Sequence, residues 1–91
     1  MLRRMMNINQ KIAENIFNWD YDTGEPIPDY SGEIEFAWLV VEKMREITGK
    51  SVLVEMSTNP KECICSIGIH RGSFDTASLA ICIAALKAMG E

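Results

Sequence analysis

Leu79-Ala80-Ile81-Cys82-Ile83-Ala84-Ala85-Leu86-Lys87-Ala88-Met89 carries a single charge and is apolar on almost every side. A helix that is hydrophobic all round is a buried helix. The run is also far shorter than the roughly 20 residues needed to cross a bilayer. It is therefore expected to lie inside protein, as the core of a helix running from Ser73 to Gly90, and no membrane association follows from it. The remaining chain must supply its cover.

Working backwards, two stretches have the period of two that belongs to strands. Ser51–Ser57 alternates Val52, Val54 and Met56 against Leu53 and Glu55, and Cys63–His70 alternates Cys63, Cys65, Ile67 and Ile69 against Ile64, Ser66, Gly68 and His70. Thr58-Asn59-Pro60-Lys61 between them is turn chemistry, which predicts an antiparallel hairpin. Before the hairpin, Ser31 is expected to cap a helix whose buried stripe is Ile34, Ala37, Trp38, Val41 and Met44. Glu33 and Glu35 near its start and Lys43, Arg45 and Lys50 near its end suit the helix dipole, and Gly49 closes it. Residues 7–19 place Ile8, Ile12, Ile16 and Trp19 on one side of a shorter helix with Asn7 as its cap. Gly24, Pro26 and Pro28 break regular structure between the two helices, leaving an acidic linker over residues 20–30, pinned to the core by Tyr21, Ile27 and Tyr30.

The expected architecture is α+β: three helices and an antiparallel β-hairpin in the order α-α-β-β-α, layered as a sandwich. One domain spans residues 7–91 behind a flexible terminus of residues 1–6. Its core is expected to contain Ile12, Ile16, Trp19, Ile34, Trp38, Val41, Val54, Ile67, Leu79, Cys82, Ile83 and Leu86. A two-stranded sheet is marginal alone, and an open edge invites pairing with a copy of itself. The sheet is therefore predicted to be extended in a homodimer.

Composition bounds the function. A chain of 91 residues, 47% hydrophobic and 24% charged, is an ordinary globular domain with a thin stability margin. Its net charge of -4 argues against direct nucleic-acid binding, which rests on clustered Lys and Arg. Asp20, Asp22, Glu25, Asp29, Glu33 and Glu35 form an acidic belt that reads as solvated surface or, alternatively, as a phosphate mimic blocking a host nucleic-acid-binding protein. The start, Met1-Leu2-Arg3-Arg4-Met5-Met6, leads into polar residues rather than an apolar run, unlike a signal peptide. With three cysteines this points to reduced thiols in a cytoplasm.

Three segments together resemble the phage ABA sandwich domain family: Ile12-Ala13-Glu14 through Trp19, Pro28-Asp29-Tyr30-Ser31 running into Ala37-Trp38-Leu39-Val40-Val41-Glu42-Lys43, and Asp75-Thr76-Ala77-Ser78 through Ala88. The last is the most specific. Ser78 stands where the family pattern suggests proline, and the linker after Trp19 is longer than usual. The resemblance implies a layered α-β fold and a phage or prophage origin, with no family catalytic motif to carry over.

The richest local constellation is His70-Arg71-Gly72-Ser73, read as the junction of the second strand and the last helix. A helix N-terminus favours an anion, and Arg71 could grip a phosphate-bearing small molecule or nucleotide. The competing reading is a plain turn with Ser73 or Asp75 as helix cap. Cys63, Cys65, His70 and Cys82 lack the spacing of zinc knuckles, and strand parity places His70 on the face opposite Cys63 and Cys65, so neither a metal nor a Cys-His nucleophile is expected. No phosphate loop or dinucleotide fingerprint occurs. The expectation is a non-enzymatic protein without cofactor, acting on a host protein or a small phosphate-bearing ligand.

Overall fold

The computed structural model describes residues 8–18, 27–58 and 61–90. The chain forms α1 (Ile8–Asn15), α2 (Ile34–Thr48), β1 (Val52–Thr58), β2 (Lys61–Ile67), β3 (His70–Phe74) and α3 (Ala77–Ala88). The fold is α+β and layered, with helices packed on a three-stranded antiparallel sheet in the order β1-β2-β3. Trp19, Tyr21, the terminus 1–6 and the Asn7 cap lie outside the described residues, as do Asn59 and Pro60 of the first turn.

Helix α3 organises this arrangement as its composition requires. Ser78, Ala80, Ile81, Cys82, Ala84, Ala85 and Leu86 are all buried and cover about two thirds of the helix, leaving one narrow side on which Leu79, Ile83 and the exposed Lys87 lie. Strands β2 and β3 supply one part of its cover, and α2 and α1 another. Leu79 and Ile83 are half-buried. The helix begins at Ala77 rather than Ser73, because Thr76, in extended conformation, is its cap: Thr76 Oγ1 accepts a hydrogen bond from Leu79 N at 3.3 Å.

The residues ahead of it form the third strand, where a two-stranded hairpin was expected. β2 ends at Ile67, the chain reverses through Gly68-Ile69, and Ile67 pairs with His70. Gly68 has φ of 62°, and a positive φ at the first central position is the mark of a type II′ hairpin turn, which glycine adopts without steric cost. This turn changes the parity of all that follows. Opposed residues share a face in an antiparallel ladder, so Met56-Cys63-Phe74, Val54-Cys65-Gly72 and Val52-Ile67-His70 form rows on the helix-facing side. His70 thus shares the face of Cys63 and Cys65, contrary to the reading of residues 63–70 as one strand. Leu53, Glu55, Ile64, Ser66, Arg71 and Ser73 stand on the other face.

Gly72 is the close-approach point between sheet and helix. A Cβ built there would lie 2.5 Å from Ala84 N and 2.7 Å from Ala80 O. With Ala80 and Ala84 opposite, three small residues let α3 sit directly on β3.

Helix α2 buries Ala37, Val40, Val41 and Met44, and ends with Gly49 donating its N–H to Arg45 O at 2.9 Å. Two expected core residues are not in this stripe. Ile34 and Trp38 are 45% and 47% exposed, because the buried stripe is centred on Ala37, Val40 and Met44 and leaves them on its flank. The start also differs: Glu33 is the cap residue and makes no side-chain cap bond. Ser31 instead donates its backbone N–H to Asn9 Oδ1 at 2.8 Å, while Asn9 Nδ2 donates to Asp29 Oδ1 at 2.8 Å. One amide of α1 thereby holds the described end of the linker. Tyr30, 3% exposed, completes the attachment by stacking on Phe17 with ring centroids 5.2 Å apart, and Ile27 packs partly against the core. Ile12, Ile16, Val41, Ile67, Cys82 and Leu86 are buried as expected, and Val54 is half-buried.

Candidate functional site

The structure separates His70 from the rest of the sequence-predicted quartet, Arg71, Gly72 and Ser73, which line one groove together. Alternation along β3 sends Arg71 and Ser73 to the uncovered face of the sheet, while Gly72 is consumed by packing against α3. His70 lines a groove of about 520 Å³ with Thr48, Lys50, Ile67, Ile69 and Ala88. Arg71, Gly72 and Ser73 line a separate, shallower groove of about 330 Å³ with Glu62, Ile64 and Lys87. The quartet is therefore not one site.

Nor does Arg71 stand at a helix N-terminus. Helix α3 returns antiparallel to β3, so Arg71 lies beside the last turn of α3, where Lys87 Nζ donates to Arg71 O at 2.9 Å. The dipole at that end repels an anion rather than attracting one. What the groove does contain is two cations, Arg71 and Lys87, the carboxylate of Glu62 and the hydroxyl of Ser73. Lys87 was not among the predicted residues, because it is sixteen positions away and only the return of α3 brings it to β3.

The three thiols are free and buried. Burial pushes Cys65 up to about 11 and Cys82 up to about 12, the latter helped by the Asp29 carboxylate and by Cys65. Such thiols stay protonated at neutral pH and are poor nucleophiles. Among the described residues no three His, Cys, Asp or Glu side chains are grouped closely enough to hold a metal ion. Within the acidic belt, Asp29 is occupied in shaping its own turn, accepting from Gly32 N at 3.1 Å as well as from Asn9. Asp20, Asp22 and Glu25 lie outside the described residues.

The layered α-β architecture can now be set beside known proteins. A sequence model of the phage ABA sandwich domain matches residues 10–86, which takes in α2, the whole sheet and most of α1 and α3. The chain belongs to this family. The fold agrees with a crystal structure of a phage protein from Bacillus cereus ATCC 14579, which is 31% identical, with a TM-score of 0.69 over 92% of this chain and 85% of that one. A search of curated proteins returned no match. This member of the phage ABA sandwich family has, among its described residues, no helix long and apolar enough to cross a membrane.

Proposed function

We propose that this phage ABA sandwich protein is a small homodimeric binding protein without enzymatic activity, acting in the cytoplasm of the bacterial host. The observation that carries this reading is the uncovered rim of β1, where Leu53 and Met56 are 56% and 73% exposed. A three-stranded sheet whose outer strand displays large apolar side chains is better served by a protein surface than by water. The protonated, buried state of Cys65 and Cys82 supports a non-catalytic role, and free thiols suit a reducing compartment. Light scattering on the native protein is expected to give twice the chain mass of 10.2 kDa. A monomeric mass, or turnover of a nucleotide or peptide substrate, overturns the reading.

A second reading rests on Lys87, whose position beside Arg71 puts two cations against the one carboxylate, Glu62, in a groove that the separate residues did not announce. In this reading the groove takes the phosphate of a small ligand, held by Arg71, Lys87 and Ser73. Screening nucleotides and inorganic phosphate by melting temperature is expected to show a shift for a phosphate-bearing compound. Arg71→Ala should weaken that binding about tenfold or more, as expected for loss of a charge-assisted hydrogen bond, while leaving the unliganded melting temperature unchanged. Equal binding by the variant rules the groove out.

A further inference from the structure

We propose that the second copy joins through β1, antiparallel across a two-fold axis at Leu53, making one continuous six-stranded sheet. This rests on the homodimer reading above and adds the strand, the register and the residue on the axis. The two edges of the sheet are not equivalent. At the β3 edge the Arg71 carbonyl already accepts a hydrogen bond from Lys87, and an edge lysine is a common guard against strand addition. That strand is also only five residues long and is pressed on one face by α3 at Gly72. By contrast, β1 is seven residues long, pairs with β2 through seven consecutive partners without a bulge, and contains neither proline nor glycine. Its one charge is Glu55. The devices that normally blunt an edge strand are missing from it.

Charge and pattern then choose the register. A two-fold axis perpendicular to the sheet keeps the helices of both copies on one face, and it sets a residue opposite its own counterpart. An axis at Glu55 would oppose two carboxylates, which is repulsive. An axis at Val54 would set each Glu55 against Leu53 of the other copy. With the axis at Val52, Leu53 meets the polar Ser51. Only the axis at Leu53 gives an apolar seam, with Leu53 against Leu53 on the open face and Val52 against Val54 twice on the helix-facing side. It also sets each Glu55 opposite Ser51 of the other copy. Leu53 is then covered by its counterpart, and the half-buried Val52 and Val54 finish their burial.

Cysteine cross-linking reads this register directly. Opposed residues of an antiparallel pair have Cα atoms about 4.5 to 5.5 Å apart, within the range a disulfide spans. Leu53→Cys, oxidised with diamide, is expected to give a covalent dimer on a denaturing gel. Glu55→Cys, on the same face but four residues out of register with its copy, is expected to stay uncoupled. The native thiols are buried, so the introduced surface thiol is the reactive one. Leu53→Lys should convert the dimer to a folded monomer, judged by light scattering beside an unchanged circular dichroism spectrum. If wild type is itself a monomer, the homodimer reading fails and this inference with it. If wild type is a dimer but Leu53→Cys does not couple, or Glu55→Cys couples instead, the dimer stands and the proposed seam is wrong.

Discussion

Gly72→Ala is expected to be the most damaging conservative substitution in this domain. The added methyl would lie 2.5 Å from Ala84 N, 2.7 Å from Ala80 O and 2.9 Å from Ile83 Cβ. Two of these three are backbone atoms of α3, so no flexible side chain can swing aside. Nor can the helix retreat, because α1 and α2 also pack against it. The cost belongs at the upper end of overpacking effects, about 3 kcal/mol. Against a total stability of roughly 5 to 10 kcal/mol for so small a domain, that is a large share. It should lower the melting temperature by more than about 12 °C, at 4 to 8 °C per kcal/mol. A variant melting within about 2 °C of wild type, on that same scale, would show that α3 does not rest on β3 as described.

Alkaline pH is expected to produce the second large effect. Cys65 and Cys82 ionise ordinarily near 9.0, but burial moves them to about 11 and about 12 in the folded chain. Between those values the unfolded chain releases thiol protons that the folded chain keeps. Stability is therefore fully present below pH 9 and falls as pH rises through 11 and 12. Each thiol contributes a slope of about 1.4 kcal/mol per pH unit, so the pair costs about twice that in the window they share. Tyr30, raised above its ordinary 10.0 by burial and by Cys82, steepens the fall at higher pH. Urea denaturation midpoints measured between pH 7 and pH 10.5 should be level at first and then drop. Replacing both Cys65 and Cys82 by alanine should lower the plateau but flatten the slope. A wild-type midpoint unchanged up to pH 10.5 would mean the thiols are not enclosed.

The parts of this fold that could be read from the residues are those where one physical signal stands alone. Helix α3 is legible because a run with a single charge has no solvent face to offer. The end of α2 is legible because Gly49 can stop a helix in a way that few residues can. The third strand was hidden by Gly68, whose turn lies inside an apolar alternation that reads smoothly from Cys63 to His70. Ile69, apolar yet 91% exposed in the turn, continues the alternation of the sequence while the facing parity changes, so periodicity cannot detect the reversal, although a glycine at the first central position of a two-residue loop is the available sign. Trp38 was misplaced for a related reason. Helix α2 has more apolar residues than its buried stripe can take, and wheel geometry does not say which flank of a broad apolar surface meets the neighbouring element.

The candidate site was less legible still. Arg71 was rightly noticed as a cation near a strand-helix connection, but its surroundings depend on where β3 ends and on the direction in which α3 returns. Once the helix starts at Ala77 instead of Ser73, and Ser73 and Phe74 become strand, Arg71 moves from the positive end of the helix dipole to the negative end. It also acquires Lys87 as a neighbour. A shift of four residues in one boundary, from Ser73 to Ala77, thus inverts the electrostatics of the proposed anion site while leaving the fold class untouched.

The central place of α3 in the core also dictates when, during its synthesis, this domain becomes a domain. Translation delivers α1, α2 and the three strands first, and the apolar faces of these elements are built to meet a helix that has not yet been made. Until residues 77–88 leave the ribosome, Ile12, Met44 and Ile67 have no common surface to close upon. The packed core therefore closes only once α3 has been made, and until then these apolar residues are the kind of exposed surface that favours misfolding.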